Sequence, residues 1–85
     1  LSEISYLEAY GNFVKLWQAD KMTLVSSTLK QLIEQLPSEQ FTQIHKSYVV
    51  NNCKVLAQDT EHLTLDCGRT LKVTRSFKKQ AQGIL

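Results

Sequence analysis

The sequence predicts a mostly β domain with one α-helix packed on its sheets. Short segments that alternate apolar and polar residues recur along the chain, and turn-forming residues separate them. Only one segment has the apolar spacing of an amphipathic helix. With 85 residues, 42% of them hydrophobic, the chain fits one domain over residues 1–85 with a small core of its own.

Three strands are predicted before the helix. Residues 3–9 and 13–19 are rich in β-forming side chains, and the turn formers at residues 10–12 join them into a hairpin. A turn at residues 20–21 then leads into a short third strand, which the pattern of apolar residues predicts over residues 22–26.

The predicted helix has one apolar face, formed by four residues with the spacing i, i+3, i+4 and i+7: Leu29, Leu32, Ile33 and Leu36. Ser26 or Ser27 can accept a backbone hydrogen bond at its first turn, and Pro37 ends it. Its polar face carries a single base, Lys30, so we expect the helix to cover a sheet rather than to read DNA.

The second half of the chain predicts further short strands. Residues 54–57 form one of them, and residues 62–66 and 69–73 alternate cleanly enough to predict a hairpin. Cys67 and Gly68 are expected to form a two-residue loop between these two strands. Residues 77–85 predict a short C-terminal turn or helix.

Basic residues are concentrated near the C-terminus, although the net charge of the chain is only +2. Residues 1–68 hold all eight acids and five of the ten bases, whereas residues 69–85 hold the other five bases and no acid. This asymmetry suits a face that binds a polyanion. On charge alone, a solvated basic terminus explains the same pattern.

No motif for catalysis or metal binding is present in the sequence. Four residues could supply ligands in principle, but their spacing is not that of a zinc finger: His45, Cys53, His62 and Cys67. No apolar run approaches the roughly 20 residues that span a bilayer. We therefore expect no metal, cofactor, membrane insertion or enzyme activity, and two thiols that stay reduced in the cytoplasm.

Residues 41–51, FTQIHKSYVVN, resemble the central signature of the LytTR family of DNA-binding domains. That signature has an aromatic residue, His, a polar or basic residue, Ser, a second aromatic residue, two β-branched residues and Asn. Three further segments agree in order and spacing. Residues 4–14 are similar to the family's opening hairpin, residues 28–37 to its helix and residues 71–77 to its closing motif.

The resemblance implies an elongated arrangement of small antiparallel sheets with one short α-helix. It also implies double-stranded DNA binding through loops in the major groove, for transcription regulation in the bacterial cytoplasm. Family members commonly follow an N-terminal receiver domain in response regulators and bind paired direct repeats as homodimers. The closing motif usually has Pro at Lys72, Ser at Thr74 and often Tyr at Phe77, so the family's base preference is not carried over.

The same resemblance assigns base contacts to Arg75, Lys46 and Asn12. A guanidinium can bond two acceptors of guanine, and an amide can bond adenine in a similar way. The ammonium of Lys46 can reach either a base or a phosphate. Contacts to the DNA backbone are expected from hydroxyl and ammonium groups at five positions: Ser47, Lys72, Ser76, Lys78 and Lys79.

His45 and Asn51 are expected to act structurally near the site, through hydrogen bonds to backbone groups. Lys54 and Arg69 are weaker candidates for DNA contact. The main alternative function is a protein-interaction module whose basic terminus docks an acidic partner. Binding of single-stranded nucleic acid is less well supported, because the seven aromatic residues form no paired stacking platform in the sequence.

Overall fold

The computed structural model describes residues 4–18, 21–37 and 39–81. Eight strands form two antiparallel sheets in this part of the chain, and the molecule measures 32 × 26 × 21 Å. The mostly β prediction is confirmed. Residues 3, 19, 20 and 82–85 of the predicted elements lie outside the described residues. Within the described ranges, no helix is long and apolar enough to cross a membrane.

The elements follow one another along the chain in the order β1 (Tyr6–Tyr10), β2 (Phe13–Gln18), β3 (Lys21–Val25), α1 (Leu29–Gln35), β4 (Phe41–His45), β5 (Tyr48–Asn51), β6 (Val55–Gln58), β7 (His62–Leu65), β8 (Thr70–Lys72) and α2 (Lys78–Ala81). Two 3₁₀ turns, Asn52–Lys54 and Arg75–Phe77, precede β6 and α2 respectively.

A five-stranded sheet in the order β3-β2-β1-β5-β4 forms the middle of the molecule. β1 lies between β2 and β5 and is antiparallel to both, so Leu7 pairs with Leu16 on one side and with Val49 on the other. The predicted hairpin of the first two strands is therefore present. Its turn contains Gly11 at φ +59°, a left-handed conformation that glycine adopts without steric cost.

A three-stranded sheet in the order β6-β7-β8 contains the second predicted hairpin. Its loop has three residues rather than the expected two, because Thr64 pairs with Thr70 and Leu65 N–H donates to the Arg69 carbonyl at 2.8 Å. Gly68 closes the loop at φ +90° and donates to the Leu65 carbonyl at 2.9 Å. A type I turn followed by a left-handed glycine is the usual geometry of such loops.

Helix α1 begins after Thr28, so the expectation that Ser26 or Ser27 caps it is wrong. The Thr28 hydroxyl accepts the Gln31 backbone N–H at 3.2 Å, and the Gln31 side chain accepts the Thr28 backbone N–H at 3.3 Å. This reciprocal capping box needs Gln or Glu three residues after the cap, and Gln31 stands at that spacing from Thr28. The helix ends at Gln35, two residues before Pro37.

The core lies on both faces of the five-stranded sheet. On one face, α1 packs through Leu29 against a cluster that includes Leu7, Val14 and Val49. The opposite face holds a second cluster, which joins the five-stranded sheet to the three-stranded sheet and α2: Tyr6, Ile44, Val50, Val55, Leu63, Leu65, Leu71, Val73 and Ala81. Neighbours in β1 thus belong to different clusters, as the alternation of side chains along a strand requires.

Candidate nucleic-acid interface

Two tight turns lie together at one end of the five-stranded sheet. Gly11 and Asn12 connect β1 to β2, and Lys46 and Ser47 connect β4 to β5. The turns are adjacent because β1 pairs with β5, and the Ala9 N–H donates to the Ser47 carbonyl at 2.8 Å. We call these four residues the turn end of the sheet. Asn12 and Lys46 are exposed there, far apart in sequence but on neighbouring hairpins.

His45 shapes the turn that carries Lys46. Its imidazole Nδ1 accepts the Ser47 backbone N–H at 3.0 Å, which is the backbone hydrogen bond expected of this residue. The ring also contacts Tyr48 edge-on, with centroids 5.2 Å apart. Because Nδ1 accepts this hydrogen bond from the Ser47 backbone N–H, the His45 ring restrains the turn.

The C-terminal segment brings Arg75 close to the strand that leads into this turn. The Thr74 N–H donates to the Ile44 carbonyl at 3.0 Å, one residue before His45 in β4. Arg75 then begins a 3₁₀ turn and is exposed. The hydrogen bond thus attaches residues 74–77, which we call the Arg75 segment, to β4, an edge strand of the sheet.

Three of the predicted DNA-binding residues line one open cleft of about 300 Å³ beside this segment: Lys72, Arg75 and Lys78. Glu61 is the one acid in the lining, and Val73 completes it. The cleft therefore carries more positive than negative charge, which favours an anionic ligand such as a phosphodiester. Ser76 and Lys79 are exposed on the adjoining turn and helix but do not line the cleft.

Among the described residues, the cations of the candidate interface form no ion pair with a carboxylate. In the described ranges, the carboxylate contacts within 4 Å are those of Lys54 with Asp66 at 3.7 Å and of His62 with Asp59 at 3.8 Å. Lys54, a weaker candidate for DNA contact, thus has an acidic partner. Arg69, the other, lies with its guanidinium carbon 6.0 Å from the centre of the Tyr6 ring.

Asn51 has a structural role, but it is not near the site, contrary to expectation. It lies at the opposite end of β5 from Ser47, where it pairs with Phe41. Its fully buried amide donates to the Ile4 carbonyl at 2.8 Å, and its oxygen accepts the Cys53 N–H at 3.1 Å. The sequence motif places Asn51 four residues after Ser47, and the extended strand between them carries it away from the turn end.

Lys30, which the sequence predicts only on the polar face of the helix, is a further basic residue near Lys46. In the structure, Lys30 and Lys46 line the same cleft, of about 470 Å³, together with Gln43 and Glu34. No local sequence signal links the two lysines, because their proximity depends on how α1 crosses the sheet. The described residues contain no group of three or more His, Cys, Asp or Glu placed to hold a metal ion.

Exposed amide and cationic side chains on short turns, beside a basic cleft, are the features of a nucleic-acid-binding module. Comparison with known proteins agrees with this class. The family of LytTr DNA-binding domains matches residues 1–85, and the chain belongs to this family. The family consists of DNA-binding rather than catalytic domains.

The fold matches a LytTr DNA-binding domain from Bacillus cereus, in a protein described as a methyl-accepting/DNA response regulator, with a TM-score of 0.87 and 22% identity over 98% of this chain and 81% of that one. The sequence is 37% identical over 59 residues to a response regulatory protein of Vibrio cholerae. The matched region covers 65% of this chain and 23% of the relative. The chain therefore matches about a quarter of that relative's length.

Proposed function

We propose that this domain binds double-stranded DNA sequence-specifically, through its turns in the major groove, to regulate transcription. The observation that carries the proposal is the adjacency of the Asn12 and Lys46 turns, with the Arg75 segment hydrogen-bonded to β4 beside them. Short turns can enter a groove that is about 12 Å wide, and their side chains can then reach base edges.

Arg75 and Asn12 are the proposed base readers, and Lys46 contacts a base or a phosphate. Arg75 can donate to O6 and N7 of guanine together, and Asn12 can bond adenine through its amide. The remaining contacts are proposed to position the protein on the DNA backbone: Ser47, Lys72, Ser76, Lys78 and Lys79. Exposure of Lys72, Ser76 and Lys79 supports these roles.

The wider assembly is also part of the proposal. The Vibrio cholerae relative is a response regulatory protein much longer than the matched region, which supports an N-terminal receiver domain in the parent chain. We propose that two such proteins bind paired direct repeats as a homodimer. A duplex with both repeats should then bind the dimer more tightly than a duplex with one repeat. Once the first domain of the dimer is bound, the second repeat is held close to the second domain.

The decisive experiment selects bound duplexes from a random pool and measures the affinity of the selected site over a range of salt concentrations. We expect a steep salt dependence, with a slope that rises by about 0.9 for each neutralised phosphate. Arg75→Ala should lose about 1–3 kcal/mol of discrimination at one base pair. Arg69→Ala is the matched control and should keep it, because Arg69 lies beside Tyr6, at the other end of β1 from the turns.

An Arg75→Ala protein that selects the same site as the wild type would contradict base reading by Arg75. Binding that is insensitive to salt would contradict the proposed function as a whole, because phosphate contacts release counterions.

A second candidate function, protein interaction, is favoured by one observation. β3 ends the five-stranded sheet and exposes Met22 and Leu24 to 44% and 48% respectively. An edge strand of this kind can pair with a strand of a partner, and the basic cleft could meet its acidic side chains. A stable protein complex from a domain that prefers no duplex would support this function over DNA binding.

A further inference from the structure

The first turn of α1 lies near the turn end of the five-stranded sheet. β3 is antiparallel to β2, and its last residue, Val25, pairs with Val14, two residues after Asn12. The chain then needs only residues 26–28 to reach the start of α1 at Leu29. Lys30 therefore stands at the beginning of the helix, on the same side of the molecule as the turns.

Lys30 also faces the turn that carries Lys46. The two lysines line one cleft of about 470 Å³, between α1 and the end of β4, and both are exposed. Glu34 lies in the same cleft, one helical turn after Lys30, but it is not within 4 Å of the Lys30 ammonium in the described structure. The Lys30 charge is thus available to an external anion.

We propose that Lys30 binds a phosphate of the DNA backbone and that α1 forms a flank of the interface beside the Lys46 turn. This inference rests on the proposed function. An ammonium on a flexible four-carbon side chain binds a phosphate as a point charge and carries no base information. The helix thus serves both as a cover for the core, through Leu29, and as a contact to one DNA strand.

The test compares Lys30→Gln with Lys21→Gln. Lys21 is also exposed, and it lies at the other end of the sheet, where it begins β3 and pairs with Gln18. Binding of a fluorescent duplex carrying the selected site is measured by anisotropy at several KCl concentrations. Lys30→Gln should make the salt dependence shallower, reducing the magnitude of the slope of log K against log[KCl] by about 0.9. It should also weaken binding severalfold at low salt and leave the selected sequence unchanged. Lys21→Gln should keep the wild-type slope.

Two further variants separate a phosphate contact from an effect on the helix. Lys30→Arg keeps the charge and should keep the wild-type slope, whereas Glu34→Gln removes the acid from the cleft and should tighten binding. Far-UV circular dichroism and thermal unfolding check that each variant is folded; Lys and Gln have similar helix propensities.

The outcomes distinguish this inference from the proposed function. A wild-type domain that binds no duplex in a salt-dependent way overturns the proposed function. A wild-type domain that binds as expected, with a Lys30→Gln variant that keeps its salt slope, overturns the inference alone. Weaker binding of Lys30→Gln with an unchanged slope also overturns it, because no phosphate contact would have been lost.

Discussion

At the scale of single residues, Tyr6 is the aromatic centre of the larger core cluster. It is 2% exposed and stacks on Trp17, with ring centroids 5.7 Å apart and planes inclined by 11°. Burial raises the pKa of its hydroxyl to about 12, and the nearby Arg69 charge opposes part of this effect. The Tyr6 hydroxyl therefore stays neutral at pH values well above 10, the usual pKa of a tyrosine.

This pKa predicts a loss of stability at alkaline pH. Below pH 10 the Tyr6 hydroxyl is protonated in both the folded and the unfolded chain, so it adds no pH dependence. Between pH 10 and about 12 the unfolded chain releases the proton and the folded chain keeps it, so the free energy of unfolding falls as pH rises. The fall is at most about 1.4 kcal/mol for each unit between the two pKa values.

Urea unfolding of the wild type and of Tyr6→Phe at pH 9 and pH 11 measures this contribution. The phenylalanine variant keeps the ring stacked on Trp17 but has no hydroxyl to ionise, and the lysines titrate alike in both proteins. The stability difference between the two proteins should therefore shift in favour of Tyr6→Phe at pH 11. Parallel pH dependences would show that Tyr6 does not titrate in this way.

At the scale of secondary structure, the capping box of α1 fixes where the helix starts. Thr28 and Gln31 satisfy each other's backbone N–H groups, and this reciprocity excludes a start at Ser26 or Ser27. With the start at this position, Leu29 points into the core and Lys30 reaches the cleft beside Lys46. The helix has only seven residues, so the loss of its cap removes a large share of its local stabilisation.

Thr28→Ala should lower the free energy of unfolding by about 1 kcal/mol, within the usual range for an N-cap of roughly 0.5–2 kcal/mol. Thr28→Ser keeps the hydroxyl and should stay close to the wild type. Ser26→Ala, at one of the two positions first expected to cap the helix, should change stability by less than about 0.5 kcal/mol. Chemical denaturation of the three variants provides the comparison, and a larger effect at Ser26 than at Thr28 would refute the observed cap.

At the scale of the whole molecule, the five-stranded sheet is a shared layer. One of its faces buries the apolar side of α1, and the other buries Ile44 and Val50 against Leu63 and Leu71 of the three-stranded sheet. Both core clusters include residues of the five-stranded sheet, so neither the α1 side nor the three-stranded sheet has a complete core without it. We therefore expect the domain to unfold in a single cooperative step. The turns proposed to bind DNA and the Arg75 segment are then supported by the same core.

Leu63→Ala tests this cooperativity. Leu63 is fully buried in the three-stranded sheet, and its truncation should cost about 2–5 kcal/mol. Fluorescence of Trp17, the only tryptophan and a residue of β2, should report the same lowered midpoint as circular dichroism. Leu56→Ala, a matched truncation at a residue that is 67% exposed, should cost much less. A Trp17 transition that does not move with Leu63→Ala would indicate two independent units.

The sequence by itself determined the local structure and the family. Period-two alternation predicted the hairpins, the spacing of four apolar residues predicted α1, and the FTQIHKSYVVN motif indicated the family. These features could be predicted because each depends on residues close together in the chain. Two local predictions were wrong: the length of the Cys67–Gly68 loop and the identity of the residue that caps α1. At both places neighbouring residues can play the same part, and single hydrogen bonds, from Leu65 to Arg69 and from Gln31 to Thr28, decide which one does.

Only the tertiary structure decided which of these elements meet. Asn12 lies beside Lys46 because β1 pairs with β5, and Arg75 approaches the same strand ends through the Thr74–Ile44 hydrogen bond. The position of Lys30 across from Lys46, and of Asn51 at the far end of β5, follows from the same arrangement. Strand order and helix placement depend on burying both faces of one sheet at once, and no local pattern in the sequence contains that information.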